Sequence, residues 1–222
     1  MSVSRIGQGT TVNNFNNSDA VGSHASTGIG DRLILLVSGR AYVTGISGGS
    51  GTAWSQFGST VNVGLLQLQV WTKIAASGDH GGASFTVTTT PAGYGRVLSI
   101  QTYRGDGLTP ELLDFQSETE ASSGTDIVSD AYTMVSGQAA VAFAANQDNN
   151  SLCTVTGTGW TELIDTGQGS TYGVCVALGT STGSGVAGAT FTFATAGSNR
   201  AAATFVVAEP RRGAMLHKYA TL

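Results

Sequence analysis

The chain has 222 residues, a net charge of −4, only 11% charged residues and 32 glycines. Charge this sparse and on balance acidic excludes a nucleic-acid binder, which needs a basic face. The content of β-branched and aromatic residues also excludes a disordered polyelectrolyte. No apolar run approaches the ~20 residues that span a bilayer as a helix, and no signal-peptide core follows the start Met1-Ser2-Val3-Ser4-Arg5, so no membrane role is expected. Cys153 and Cys175 do not make a disulfide framework and read as two reduced thiols.

In chain order, residues 1–29 are polar and rich in Gly, Asn and Ser, with weak alternation at Thr10-Thr11-Val12-Asn13-Asn14-Phe15; this reads as an entry strand and a loop. Arg32-Leu33-Ile34-Leu35-Leu36-Val37 is a continuous apolar run of strand length, which predicts a central strand buried on both faces. Weak strand character at Tyr42-Val43-Thr44-Gly45-Ile46 precedes the loop Ser47-Gly48-Gly49-Ser50-Gly51, and Thr52-Ala53-Trp54-Ser55-Gln56-Phe57 follows. A strand at 65–74 comes next, with its core Leu66-Gln67-Leu68-Gln69-Val70. A turn through Ala76-Ser77-Gly78-Asp79 and an alternating strand at 83–89 come after it, and 96–103 closes the unit. Residues 104–137 carry much of the acid; Leu112-Leu113-Asp114-Phe115 and Ala131-Tyr132-Thr133-Met134-Val135 are predicted strands.

The plan then returns. Trp54 and Trp160, Leu68 and Val174, Val70 and Val176, Phe85 and Phe191 are each 106 residues apart. The sequence predicts two duplicated units, at about 30–104 and 136–210 with an offset of 106. They form one antiparallel β-sandwich over 1–210, jelly-roll-like and almost free of helix, followed by a tail at 211–222. Leu35, Leu68, Val70 and Phe85 are expected to face inward, with Val141, Val174, Val176 and Phe191 as their mates.

Chemistry-bearing residues are scattered. His24, His80 and His217 have no metal-ligand spacing. Asp79-His80 has the look of half a dyad, yet no Gly-x-Ser-x-Gly elbow supplies a nucleophile. Asp114, Glu118 and Glu120 read as acids on one face of an edge strand that deter sheet-to-sheet pairing rather than as a glycosidase pair. Asn146-Gln147-Asp148-Asn149-Asn150 has one carboxylate where calcium loops usually have several, and reads as a polar hairpin loop. The expectation is therefore no catalytic residue, no metal and no cofactor. Trp54 and Trp160, placed alike in both copies, read as core or sheet-edge anchors. Trp71 faces opposite to Val70 and has Ala177 as its counterpart; it is the candidate for an exposed aromatic contact. The tail concentrates Arg211, Arg212, Met215, Leu216, Tyr219 and Leu222, and is expected to dock onto a partner by strand addition or by filling a groove.

Several motifs carry a resemblance. These are Gly30-Asp31-x-Leu33-Ile34-Leu35, a Trp after a Gly-rich loop, Leu-x-Val-x-x-Lys-x-Ala-x-x-Gly-Asp over residues 68–79, a Thr-rich strand, and a closing strand ending Tyr103-Arg104-Gly105. Together with the start Met1-Ser2-Val3-Ser4-Arg5-Ile6-Gly7, they resemble small β-sandwich virion structural proteins of tailed bacteriophages, of the minor tail or head-decoration kind. The resemblance covers roughly residues 1–105, and the second half through the duplication. It implies a non-enzymatic virion component, made in the bacterial host cytoplasm, that binds other copies of itself and other capsid or tail proteins. The other reading of the residues is a carbohydrate-binding module for a host-surface glycan. A glycan-degrading enzyme is a third.

Overall fold

A computed structural model describes residues 2–14, 16, 18–91, 95–147, 152–168, 172–180 and 188–210; at 14, 167–168 and 172–180 it describes the backbone alone. Among the described residues there are seventeen strands and no helix. The first unit contains β1 (Val3–Gln8), β2 (Val12–Asn14), β3 (Ser18–Gly22), β4 (Arg32–Gly39), β5 (Tyr42–Ser47), β6 (Ser55–Val63), β7 (Leu66–Ile74), β8 (Ser84–Thr90) and β9 (Arg96–Gly105). The second contains β10 (Glu111–Glu120), β11 (Gly124–Val128), β12 (Ala139–Gln147), β13 (Cys153–Thr156), β14 (Trp160–Gln168), β15 (Tyr172–Thr180), β16 (Thr190–Gly197) and β17 (Arg200–Ala208).

Each unit builds the same two antiparallel sheets. The large sheet has the order β1-β9-β4-β7-β6 in the first unit, with β2 also on β9, and β10-β17-β12-β15-β14 in the second. The small sheet is β3-β8-β5 in the first and β11-β16-β13 in the second. The repeat thus reaches further toward the N-terminus than residue 30, since β1 answers β10 and β3 answers β11. In 131–135 the expected strand is an extended segment with a single bridge at Tyr132.

The architecture is a β-sandwich of four layers. Val21, Leu33, Leu35, Val37, Phe85, Val87, Leu98 and Ile100 form a core between the small and large sheets of the first unit. Ile127, Ala142, Ala144, Phe191, Phe193 and Ala202 do the same in the second. The two large sheets then meet face to face over Ile34, Leu36, Leu66, Leu68, Val70, Val141, Phe143, Phe205 and Val207. This is why β4, β12 and β17 are apolar without alternation: each has a layer on both faces. Of the residues expected on one inner face, Leu35 and Phe85 enter the small-sheet core while Leu68 and Val70 enter the interface between units. Val141 lies at that interface and Phe191 in the second small-sheet core; Val174 and Val176 are described by backbone only.

The ladders also replace a uniform offset of 106. Val21 and Ile127, Phe85 and Phe191, and Val87 and Phe193 keep it and share a face. At 106, however, Leu35 would match Val141, which faces the other core; the residue with its role in β12 is Ala142. In β9 and β17 the matches are Leu98 with Ala202 and Arg96 with Arg200. Where β12 and β17 offer Ala in place of Leu, the facing strand offers the larger Phe193 in place of Val87, which fills part of the space.

The two large sheets meet along several strands. On one side β6 lies over β10 and β7 over β17, β4 crosses β12 in the centre, and on the other side β2 and β9 reach β14.

Candidate functional site

The polar residues that the fold brings together inside the sandwiches form braces. Lys73 and Asp79 are both buried and lie 2.9 Å apart. Asp79 also accepts the amides of Ala76 (2.8 Å) and Ser50 (2.9 Å), while Lys73 donates to the Ser50 carbonyl (2.8 Å). The ammonium stands over the rings of Phe85 and Trp54, at 5.4 and 6.0 Å. Burial pushes the Asp79 carboxyl up, but the Ala76 amide, Lys73 and the Ser50 amide outweigh it and hold the group below the usual carboxylate range. The pair clips the glycine loop after β5 to the turn after β7. His80, beside it, is exposed and forms no dyad with Asp79, whose oxygens are committed.

Arg96 and Arg200 open the closing strands of the two units and do parallel work. Arg96, fully buried, donates through Nε to Asp19 of β3 (2.9 Å) and also meets Thr89. Arg200, also buried, donates to the carbonyls of Asp126 in β11 and Ser122 (both 2.8 Å) and pairs with Glu120. Each guanidinium thus ties the first strand of a small sheet to its large sheet. Arg104 grips Asp31 with two hydrogen bonds of 2.8 Å, which raises the Arg104 pKa, and Asp31 also takes the Gly28 amide at 2.7 Å.

Trp54 is half-buried and meets Phe85 edge-on at 5.2 Å; Trp160 is half-buried against the second small-sheet core. Trp71 is half-buried against the first small-sheet core, with its indole nitrogen shielded from solvent. Glu118 is exposed, Glu120 pairs with Arg200, and Asp114 sits at a bulge with φ of +54°. Cys153 is a buried free thiol. Arg211, Arg212, Met215, Leu216, Tyr219 and Leu222 lie outside the described residues, as do His217 and Asp148-Asn149-Asn150. No group of three or more potential metal ligands occurs among the described residues.

A concavity of about 660 Å³ lies at the end of the second unit. Its walls come from three places: Glu111, Leu113 and Asp114 of β10; Thr133, Val135, Ser136, Gly137 and Gln138; and Ala208, Glu209 and Pro210 at the end of β17. Local sequence explains the middle wall. Tyr132 and Met134 are buried in a small core with Ala140, Val206 and Ala208, so the extended backbone turns Thr133 and Val135 outward. The Tyr132 hydroxyl donates to the carbonyl of Thr204 at 2.8 Å and lies against that of Asp114; burial, with Asp130 and Asp114 nearby, pushes the phenol up. Gly137 accepts the Val3 amide at 2.8 Å, which joins this wall to β1.

The cavity is acidic and apolar together. Glu111, Asp114 and Glu209 supply carboxylates, and Leu113, Val135, Ala208 and Pro210 supply apolar surface. Arg32 stands beside Glu111 from outside the lining and donates to the Pro110 carbonyl at 2.6 Å. Glu209 Oε1 accepts the Leu108 amide at 3.2 Å, while Oε2 is shielded from solvent and has no hydrogen-bond partner among the described residues. Residue-by-residue reading misses this site, because it takes 131–135 as a strand in its own right and not as a cavity wall. The signal that could have found it is the clustering of acids around 106–130.

No protein-family model, curated protein or solved structure matches the chain.

Proposed function

We propose that the chain is a non-enzymatic structural component of a tailed-phage virion, a minor tail or capsid-decoration protein that binds other copies of itself and the particle surface. The observation that carries this reading is how the fold uses its long charged side chains. Lys73, Arg96 and Arg200 are buried and each is paired with an acid that braces a loop or a sheet. Around these braces the large sheets of two duplicated units close on each other, and the outer surface is mostly small polar residues. Such a body suits a load-bearing part. The motifs at 30–35, 68–79 and 103–105 support the phage assignment.

Quantitative mass spectrometry of gradient-purified particles, with heads and tails then separated, tests it. The protein should band with one of the two at a fixed copy number. Recovery only as free protein, with specific glycan binding that Trp71→Ala abolishes, would replace this reading with the carbohydrate-binding one.

A further inference from the structure

We infer that the acidic cavity of the second unit is the seat of the chain's own C-terminal segment, residues 211–222. The lining supplies the first argument. Three carboxylates and four apolar side chains line the cavity. The cavity therefore fits a cationic, apolar segment. At about 660 Å³ it is within the ~300–1,000 Å³ of ordinary ligand pockets.

The second argument is where the chain goes. Pro210 is itself part of the lining, so residue 211 begins at the rim. Residues 211–222 carry Arg211, Arg212 and Lys218 together with Met215, Leu216, Tyr219 and Leu222, the complement of the wall in both charge and apolarity. Pro210 cannot extend the β17 ladder, and Gly213 permits a reversal within three residues of the rim. A segment tethered this closely meets its seat at a millimolar or higher effective concentration, an advantage that the same segment of another molecule lacks. The sequence alone sends this arm to a neighbouring copy; the cavity at its root is the nearer seat. The inference does not depend on the virion reading, since it concerns the isolated chain.

Trypsin reads it on the full-length protein, because Arg211, Arg212 and Lys218 are cleavage points and proteolysis of a seated segment follows the population of its open state. The cuts after Arg212 and Lys218, followed by intact mass, should be at least tenfold slower than in a synthetic peptide of residues 207–222. They should be independent of protein concentration. Glu111→Gln with Asp114→Asn should accelerate them about tenfold without moving the melting temperature of the body. Leu216→Asp with Tyr219→Ser should do the same, again with the melting temperature of the body unchanged. Cleavage of the wild-type tail at the peptide's rate overturns the inference. So does protection that grows with concentration alongside a larger mass by light scattering, which would give the seat to the segment of a second copy.

Discussion

At the scale of single residues, the buried Lys73–Asp79 pair is the most consequential feature outside the apolar cores. Removing one partner strands the other charge away from water, so Asp79→Ala should cost about 3–5 kcal/mol in urea unfolding. Replacing both, Lys73→Met with Asp79→Leu, should cost much less than that. The pair also sets a pH dependence. The folded Asp79 carboxyl is held below its ordinary value, so its contribution is fully present above the unfolded value of about 4 and is lost as the pH falls through the folded one. Asp79→Asn should flatten the acid side of the stability profile and leave its shape above pH 5 unchanged. The motif around this aspartate was visible in the sequence, but its purpose was not: the turn that looked able to carry chemistry is a clip whose polar atoms are all engaged.

Between elements, the contact of β6 with β10 joins the two units at one edge. Phe57 meets Phe115 and Phe205, each at 5.9 Å between ring centres and near perpendicular. Gly58 has a φ of +71°, and a Cβ there would lie only 2.3 Å from Cγ of Phe115. Gly58→Ala should therefore destabilise by about 2–4 kcal/mol, combining the left-handed backbone cost with overpacking. Phe115→Leu in the same chain should return part of that loss, and the resulting double-mutant coupling, measured by urea unfolding, checks the packing half of the explanation. Arg96 and Arg200 act at this scale too, since each fastens a small sheet to a large one, and Arg96→Met should loosen β3 first. Hydrogen exchange of the Asp19 to Val21 amides would show it.

The molecule as a whole behaves as two sandwiches sharing a central core. The interface between units is as apolar as either small-sheet core, with Leu66, Leu68, Val70, Phe143 and Phe205 all buried in it. The units should therefore unfold together: tryptophan fluorescence and far-ultraviolet circular dichroism should give coincident urea transitions. Residues 1–108 expressed alone should aggregate or dimerise through the uncovered face of Ile34, Leu36, Leu68 and Val70, because an apolar face of this extent does not stay in water. A soluble monomeric half with a native-like transition would contradict the shared core.

The sequence by itself determined the all-β class, the duplication and the doubly buried character of residues 32–37, since these follow from local period and composition. It also placed Trp54 and Trp160 against a core, because matched positions in two copies imply matched packing. Only the tertiary structure decided what covers each face. Alternation separates Leu33, Leu35 and Val37 from Ile34 and Leu36, but nothing local says that the first set meets a small sheet and the second the other unit. For the same reason a single offset of 106 could not hold. Loops and bulges change length between copies, and a strand keeps its faces only through shifts that its neighbours compensate. The cavity likewise belongs to tertiary structure, because Glu111, Val135 and Glu209 come to line one cavity only after β10 pairs with β17 and Tyr132 is pulled into the core beside them.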